Sequence, residues 1–254
     1  MKSTLSLIAA LAGLVALPAA AQDLRGGVLS FDLGLGARSK PEYLGAADNE
    51  AKPWVILRNF QYSAAGQPDR DGGGPQGFSW GPDFELVNKR DTGSDAPERL
   101  RGLDKIGYGL ELGLEAGYRT GPVRFYTGAR KAVGGHKGVT GELGLSYTFE
   151  PAPNWSVISA FEARYGNSTY MDAYFGVSEA ESQRSGLREH SAGSGMSAYA
   201  ASIEARYRAT DNWSLLGRVE AERLTGDAAD SPIVADRDQV TLGLGVVRSF
   251  TFGF

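Results

Sequence analysis

The sequence contains no cysteine, only two histidines and, after its N-terminal segment, no apolar run long enough for a membrane-spanning helix. Without cysteine, neither a disulfide framework nor a thiol site is available. A spanning helix needs about 20 consecutive apolar residues, so any later membrane span must be built from strands. The formal net charge of −4 is mildly acidic, which argues against a nucleic-acid partner.

Motifs for catalysis, metal binding and phosphate binding are also missing. His136 in GGHKG and His190 in REHSAG both fall in predicted loops, and we expect them to be solvated or capping residues, because no fixed spacing marks a nucleophile and a base. There is no H-x-x-x-H pair, and neither GGGP nor GLGARS precedes a predicted helix. We therefore predict no enzyme, no catalytic residue, no metal and no cofactor. A loop-mediated lipid enzyme using His190 and Ser191 is the least favoured alternative.

The first 21 residues predict a cleaved secretory signal peptide. Lys2 supplies the positive start, residues 5–17 form an apolar run, and Ala19 to Ala21 form a small-residue cleavage site. The apolar run is shorter than the roughly 20 residues of a spanning helix. We expect the remainder, 22–254, to be one domain in an exported protein.

Apolar residues alternate with small or polar residues along most of that remainder, and this period of 2 predicts β-strands. In the clearest segment, Leu110, Leu112 and Leu114 alternate with glycine and glutamate. Aromatic residues gather at the segment ends, as two water–lipid interfaces select. The predicted strands are 29–36, 52–62, 77–87, 106–118, 123–133, 139–149, 155–165, 195–207, 213–224 and 240–254.

Short and long connections alternate between these strands. RTGP, EPAPN and RATDN are short and turn-like, whereas 39–51, 88–104, 166–194 and 225–238 are long. Short periplasmic turns with long outer loops are typical of outer-membrane barrels. The sequence therefore predicts an all-β fold, a transmembrane antiparallel up-and-down β-barrel of about ten strands in the bacterial outer membrane. The connection 63–76 is long for a periplasmic turn, so an extra hairpin, giving 12 strands, or an inserted loop remains open.

The face that would point into this barrel carries charges of both signs. Long Glu and Arg side chains paired across a narrow interior would occlude it, so we expect a plugged or very narrow lumen. Arg248 is the exception, because it falls on the apolar face near the expected bilayer midplane, at a cost of about 2 to 4 kcal/mol if it meets lipid. The inward residues are Asp32, Glu111, Glu115, Arg124, Arg130, Glu142, Glu162, Arg164, Glu204, Arg206, Arg218, Glu220 and Glu222.

Four loop motifs together resemble the MipA/OmpV family of outer-membrane proteins: PEYLGAADNEAKP (41–53), GGHKG (134–138), YMDAYFGVSEAESQRSGL (170–187) and RLTGDAADSPIV (223–234). The resemblance covers nearly the whole exported chain and is strongest over 170–234. It implies a β-barrel without enzymatic activity. It also implies a scaffold for peptidoglycan (murein) synthesis and remodelling, with a murein lytic transglycosylase and a murein synthase as partners. A small solute channel, or a surface adhesin or receptor, is the alternative.

The motif loops supply the residues that we expect to be used for contacts. Their aromatic side chains either fold back over the barrel mouth or form a contact patch, and the polar residues of DAADSP should order their loop by bonding nearby backbone amides. The contact residues are Tyr43, Gly45, Tyr170, Met171, Tyr174, Phe175, Gly176, Asp227, Asp230, Ser231 and Pro232.

The last residues, SFTFGF, carry aromatic side chains on one face of the final predicted strand. Phe250, Phe252 and Phe254 would face lipid, and a terminal Phe resembles the signature by which outer-membrane barrels are handed to the barrel-assembly machinery. Outer-membrane lipid and that machinery are therefore expected partners as well.

Overall fold

The computed structural model describes residues 28–63, 76–87 and 89–253. The predicted signal peptide and Phe254 lie outside the described residues, as does most of the connection 63–76. The cleaved signal peptide and the lipid-facing position of Phe254 remain predictions from the sequence.

Ten antiparallel strands form one sheet, as the alternation predicts. Successive residues of a strand point to opposite faces, so small or charged residues line one side and apolar residues the other. The strands are β1 (Val28–Pro41), β2 (Asn49–Ser63), β3 (Gly77–Leu86), β4 (Gly109–Thr120), β5 (Val123–Gly134), β6 (Val139–Ala152), β7 (Trp155–Gly166), β8 (Gly195–Arg208), β9 (Trp213–Leu224) and β10 (Asp238–Gly253).

The sheet curls into an up-and-down β-barrel. Its strand order is β2-β1-β10-β9-β8-β7-β6-β5-β4-β3, so the first strand pairs with the last. Within the described ranges no ladder joins β2 to β3, and these two strands form the edges of the sheet. The seam therefore falls beside the connection 63–76, whose length is unusual for a turn.

The structure differs from the predicted strands mainly at the end of β1, which continues past the predicted end at 36 to Pro41, and at the start of β4. We expected this strand to begin at Ile106, but the ladder begins at Gly109, and Ile106 instead forms an isolated bridge with Arg90. Ile106 is buried among loop residues, so its apolar side chain fits the alternation without belonging to the strand.

A ring of aromatic side chains surrounds the barrel at the end with the short turns. Arg248 lies at this level, since it pairs with Trp213, the first residue of β9. Its guanidinium lies 5.7 Å from the ring centre of Trp213 and 5.1 Å from that of Phe250. The expectation that Arg248 sits near the midplane is therefore wrong, because the residue is at an interface where aromatic rings and water both stabilise it. Exposed members of the ring are Phe78, Trp80, Tyr118, Phe125, Tyr147, Phe149, Trp155 and Trp213.

The opposite end carries the long loops, which contain short helices. These are α1 (Ser168–Phe175), α2 (Glu179–Ser185) and α3 (Gly226–Ala229), with a 3-10 turn at Glu98–Leu100. Among the described residues, none of the helices has the length and apolar character to cross a bilayer. Following the asymmetry of outer-membrane barrels, we assign the long-loop end to the cell exterior and call it the outer end.

Candidate functional site

The barrel interior is filled with ion pairs. Every residue predicted to point inward is there, so the expectation of charges paired across the interior is confirmed. Sequence reasoning missed Arg58, Asp83 and Glu85, which lie on the weaker strands β2 and β3. The period of 2 shared with Trp54 and Ile56, which also lie inside, was the signal that could have found Arg58.

Arg130 on β5 is the centre of the outer half of this network. Its guanidinium lies 2.5 Å from Asp83, 3.1 Å from Glu85, 3.1 Å from Glu111 and 3.0 Å from Glu142. The four carboxylates come from β3, β4 and β6, so one side chain ties together four neighbouring strands, its own included. Arg130, Glu111 and Glu142 are largely buried, and a buried ion pair is stable only when such additional hydrogen bonds satisfy its donors and acceptors.

A second set of ion pairs crosses the middle of the barrel. Both terminal nitrogens of Arg58 on β2 donate to Glu204 on β8, each at 2.6 Å. These strands are four places apart in a sheet of ten, so the pair spans most of the interior. Arg206 similarly joins β8 to Asp32 on β1 at 2.7 Å. Contacts between such distant strands show that the interior is narrow at this level.

Arg164 completes the network on the side of β7. It contacts Glu162 at 2.7 Å and Glu220 at 3.1 Å, and it also pairs with Glu222. The Tyr126 hydroxyl donates to the second oxygen of Glu162 at 2.7 Å. Arg218 contacts both Glu220 and Glu204, so this group is continuous with the pair of Arg58 and Glu204. The ion pairs of Arg130 form a second group beside it.

The long loops pack together over the outer end of the barrel. We call this body the cap; it comprises residues 42–48, 89–108, 135–138, 167–194 and 225–237. Two apolar clusters form its core. The larger contains Met171, Phe175, Ala192 and Ala228 beside seven more buried residues, and the smaller contains Leu100, Leu103, Val177 and Ile233.

Helix α1 brings the aromatic motif into this core. Asn167 caps the helix, because its side chain accepts a hydrogen bond from the backbone N–H of Tyr170 at 3.0 Å. Met171 and Phe175 are each only 1% exposed, and Tyr174 is buried as well. Of the two arrangements that the sequence left open, the structure has the one in which these aromatics fold back over the barrel mouth.

Helix α2 is fixed by a buried ion pair. Glu181 forms a capping box with Ser178, and its Oε1 accepts from the backbone N–H of Asp104 at 2.9 Å. The guanidinium of Arg90 lies 3.8 Å from the same oxygen and donates to the Asp104 carbonyl at 2.8 Å. Burial opposes ionisation of Glu181, but the backbone hydrogen bonds from Asp104 and Ser178 outweigh it and lower the pKa of this carboxyl.

The motif loops 41–53 and 223–234 are held in the cap by polar contacts. The Ser231 hydroxyl donates to the Phe175 carbonyl at 2.6 Å, and the Asp227 carboxylate accepts from the backbone N–H of Gly193 at 2.8 Å. The N–H of Gly45 donates to Gln239 at 3.0 Å, with a φ of +92° at Gly45. A Cβ there would lie 2.6 Å from the Val234 side chain, so only glycine fits this crossing.

All the motif residues proposed for contacts thus lie in one body. Tyr43 packs against the smaller cluster, Gly176 ends α1, Asp230 pairs with Arg237, and the Pro232 carbonyl accepts from Arg99. Their use in contacts with another protein remains a prediction.

The two histidines have different surroundings. His136 was expected to be solvated or capping, but its side chain is fully buried, so solvation is wrong for this residue. Its Nδ1 accepts from the backbone N–H of Gly138 at 3.0 Å, and its Nε2 therefore donates to Glu111 at 2.7 Å. His190 is half-buried, and its Nε2 donates to the Asp227 carbonyl at 2.8 Å. In the described part of the chain, neither imidazole forms a hydrogen bond with a serine or threonine hydroxyl.

At the inner end, the described connections are short. The β6–β7 hairpin ends in residues 150–154, which are exposed throughout. They border a concavity of about 430 Å³ that also includes Arg206 and Arg208. On β10, the rings of Phe250 and Phe252 stack on Phe31 at 5.3 and 6.0 Å, so the aromatic face at this end is built from both the first and the last strand.

An all-β barrel with lipid-facing apolar strands, a charge-filled interior and one capped end defines the class of outer-membrane β-barrel proteins. The chain belongs to the family described as MltA-interacting protein MipA, whose family model matches residues 33–250.

Two curated relatives from Escherichia coli K12 match parts of the chain. The outer membrane protein YiaT is 29% identical over 113 residues, which is 44% of this chain and 45% of the relative. The MltA-interacting protein is 28% identical over 95 residues, covering 37% and 38% respectively. The matched segments thus span less than half the length of each relative. Together with the fold, they place the protein in the outer membrane.

Two solved outer-membrane proteins are among the structures similar to this chain. An outer membrane channel from Pseudomonas putida F1 is 14% identical and covers 92% of this chain and 97% of that chain, with a TM-score of 0.45. OprD from Pseudomonas aeruginosa is 13% identical and covers 71% and 50%, with a TM-score of 0.34. Likenesses at this level say nothing about what this protein transports or binds.

Proposed function

We propose that the protein is a non-enzymatic scaffold of the outer membrane, which holds a murein lytic transglycosylase and a murein synthase at the inner surface of that membrane. Membership of the MltA-interacting protein family is the observation that carries the proposal. One matching relative is itself called MltA-interacting protein.

The ion pairs that fill the barrel interior favour a scaffold rather than a channel. A diffusion pore needs an open path, whereas Arg58 and Glu204 meet across most of the interior and Arg130 gathers four carboxylates nearer the outer end. Ion pairs of this kind hold strands in place and leave little room for a solute.

The inner end is the only part of such a barrel that a periplasmic partner can reach. We place the contact at the concavity beside the β6–β7 hairpin, where residues 150–154 are exposed and Arg208 adds a positive charge. The Arg208 backbone N–H donates to the Asn154 carbonyl at 2.8 Å, so the hairpin and β8 form one continuous surface. Charges at the border of an interface mainly set the association rate and the choice of partner.

The test is binding of a purified lytic transglycosylase and a murein synthase to the barrel in lipid nanodiscs. We expect Arg208→Glu to weaken binding of the partner on the order of tenfold, because it reverses a charge at the contact. Arg184→Glu is the matched control, since Arg184 lies in the cap at the opposite end and should leave binding unchanged. A wild-type barrel that binds neither enzyme would refute the scaffold.

Conductance measurements distinguish the scaffold from a small solute channel. If the protein is a scaffold, a planar bilayer should show no ion conductance after insertion of the folded protein. Steady ion-conducting steps in the wild type, lost on unfolding, would favour the solute channel instead.

A further inference from the structure

The outer face of the cap contains a concavity of about 550 Å³ in which three arginines meet. Arg99 comes from the 3-10 turn, Arg188 follows α2, and Arg237 directly precedes β10. Three loops far apart in sequence therefore contribute one cation each to the same site. Neither the family nor the proposed scaffold role accounts for this convergence, since a periplasmic partner cannot reach it.

The guanidiniums are held in place by one short piece of backbone. Arg237 donates through Nε to the Ala229 carbonyl at 3.1 Å, Arg188 through Nη2 to the Asp230 carbonyl at 2.6 Å, and Arg99 through Nε to the Pro232 carbonyl at 3.0 Å. The three acceptors lie within four consecutive residues. The side chains are thus positioned in advance, which reduces the entropy lost when a ligand binds.

Much of the hydrogen-bonding capacity of these arginines is unused. In the described part of the chain, Nη1 and Nη2 of Arg99 and Nη1 and Nε of Arg188 donate to no protein acceptor. Each guanidinium has five N–H donors in a fixed plane, an arrangement that matches the oxygens of a phosphate or a carboxylate.

The carboxylates nearby do not neutralise the site. Asp230 pairs with Arg237 at 2.9 Å, and Asp227 accepts from the Gly193 backbone N–H. Among the described residues, Arg99 and Arg188 form no ion pair. Two cations with open donors therefore face the concavity, and a doubly charged anion complements them better than a singly charged one.

The site also lies close to the membrane surface. The carbonyl of Arg237 accepts from the backbone N–H of Leu224 at 2.9 Å, at the outer ends of β9 and β10. The next pair in the ladder, Arg223 and Asp238, is on the lipid-facing side of those strands. A headgroup of the outer leaflet can thus reach the same level as the concavity.

We propose that this concavity binds a phosphate group, with Arg99 and Arg188 as its principal ligands and Arg237 as the residue that positions the loop between them. The phosphate belongs either to a phosphorylated glycolipid headgroup or to a free phosphate, because both present the same oxygens to the guanidiniums.

The experiment uses the full chain folded in zwitterionic detergent. Calorimetric titration with inorganic phosphate measures the free source, and native mass spectrometry measures retention of diphosphorylated lipid A against the same lipid without its phosphates. We expect Arg99→Gln combined with Arg188→Gln to weaken binding at least tenfold. Arg101→Gln is the matched control, because Arg101 is exposed in the same loop and does not line the concavity.

Retention of phosphorylated lipid alone identifies the headgroup as the source, and binding of inorganic phosphate alone identifies the free anion. Either result supports the proposal if the double variant loses that binding and is as resistant to protease as the wild type. No binding of either probe to the wild type, equal binding by the double variant, or acetate binding as tightly as phosphate would overturn it. None of these outcomes bears on the binding of murein enzymes at the other end.

Discussion

Inside the barrel, the single side chain of Arg130 contacts four carboxylates, whereas the larger apolar cluster consists of eleven buried residues from the cap and from the strand ends below it. The interior is held by charges whose removal leaves partners unpaired in a confined space. The cap is held by apolar burial and by a few polar contacts between loops. Two neighbouring regions of one chain therefore depend on different forces, and their stabilities should respond to different perturbations.

The largest effect is expected from Arg130→Met, which removes the shared partner of four carboxylates. Breaking a buried ion pair from one side costs about 3 to 5 kcal/mol, since the remaining charges stay desolvated. Urea unfolding of the barrel in lipid, followed by tryptophan fluorescence, should show this loss in the free energy of unfolding.

Arg124→Met is the control on the same strand, because Arg124 contacts one carboxylate, Glu115, at 2.6 Å and both side chains are partly exposed. Its expected cost is about 1 kcal/mol or less. Equal losses in the two variants would mean that the interior network does not stabilise the barrel as described.

Phe175→Ala is expected to act on the cap instead. Truncating a fully buried phenylalanine costs about 3 kcal/mol through lost burial and the cavity that remains. Because the rings beside Phe175 are Tyr170 and Tyr174 of the same helix, the loss should appear as faster proteolysis within 168–185, with the barrel transition in urea unchanged. Tyr108→Ala, at a loop residue that is 75% exposed, should leave proteolysis as in the wild type. A shift of the whole barrel transition in Phe175→Ala would show that cap and barrel unfold together.

A smaller effect is expected from acid. The pKa of Glu181 is lowered in the folded cap. The stability that its ionised carboxylate gives the cap is therefore fully present above the pKa of about 4.3 in the unfolded chain, and it is lost as the pH falls through the lower pKa of the folded state. Protease sensitivity of the cap should therefore rise below about pH 4.

Glu181→Gln should destabilise the cap by about 1 to 2 kcal/mol at neutral pH, which makes it more sensitive to protease. The variant should also lose the rise in protease sensitivity at low pH. Glu179→Gln, on an exposed residue of the same helix, should retain it. Persistence of the acid response in Glu181→Gln would assign it to another group.

The strands could be predicted from the sequence because their period of 2 is a local signal. The same signal placed Glu142 and Arg164 inside, where they are found. It failed at Ile106, whose alternation continues into a loop that turns away from the sheet.

The cap was less predictable, because its order depends on contacts between loops distant in sequence. The helices were missed although SEAE at 178–181 matches the S-x-x-E capping box. Asn167, a residue type favoured at helix starts, is the cap of α1. Neither local pattern shows what would bury the helix, and that decides whether so short a helix forms. The arginine concavity had no signal at all, since its three side chains meet only after folding.

The burial of His136 gives the chain a built-in chemical reporter. Both ring nitrogens are engaged and the side chain has no exposed surface, whereas His190 is partly open. Since the chain has only these two histidines, diethyl pyrocarbonate should modify one histidine while the cap is closed. Modification of the second histidine should then follow the rate at which the cap opens, without any engineered probe.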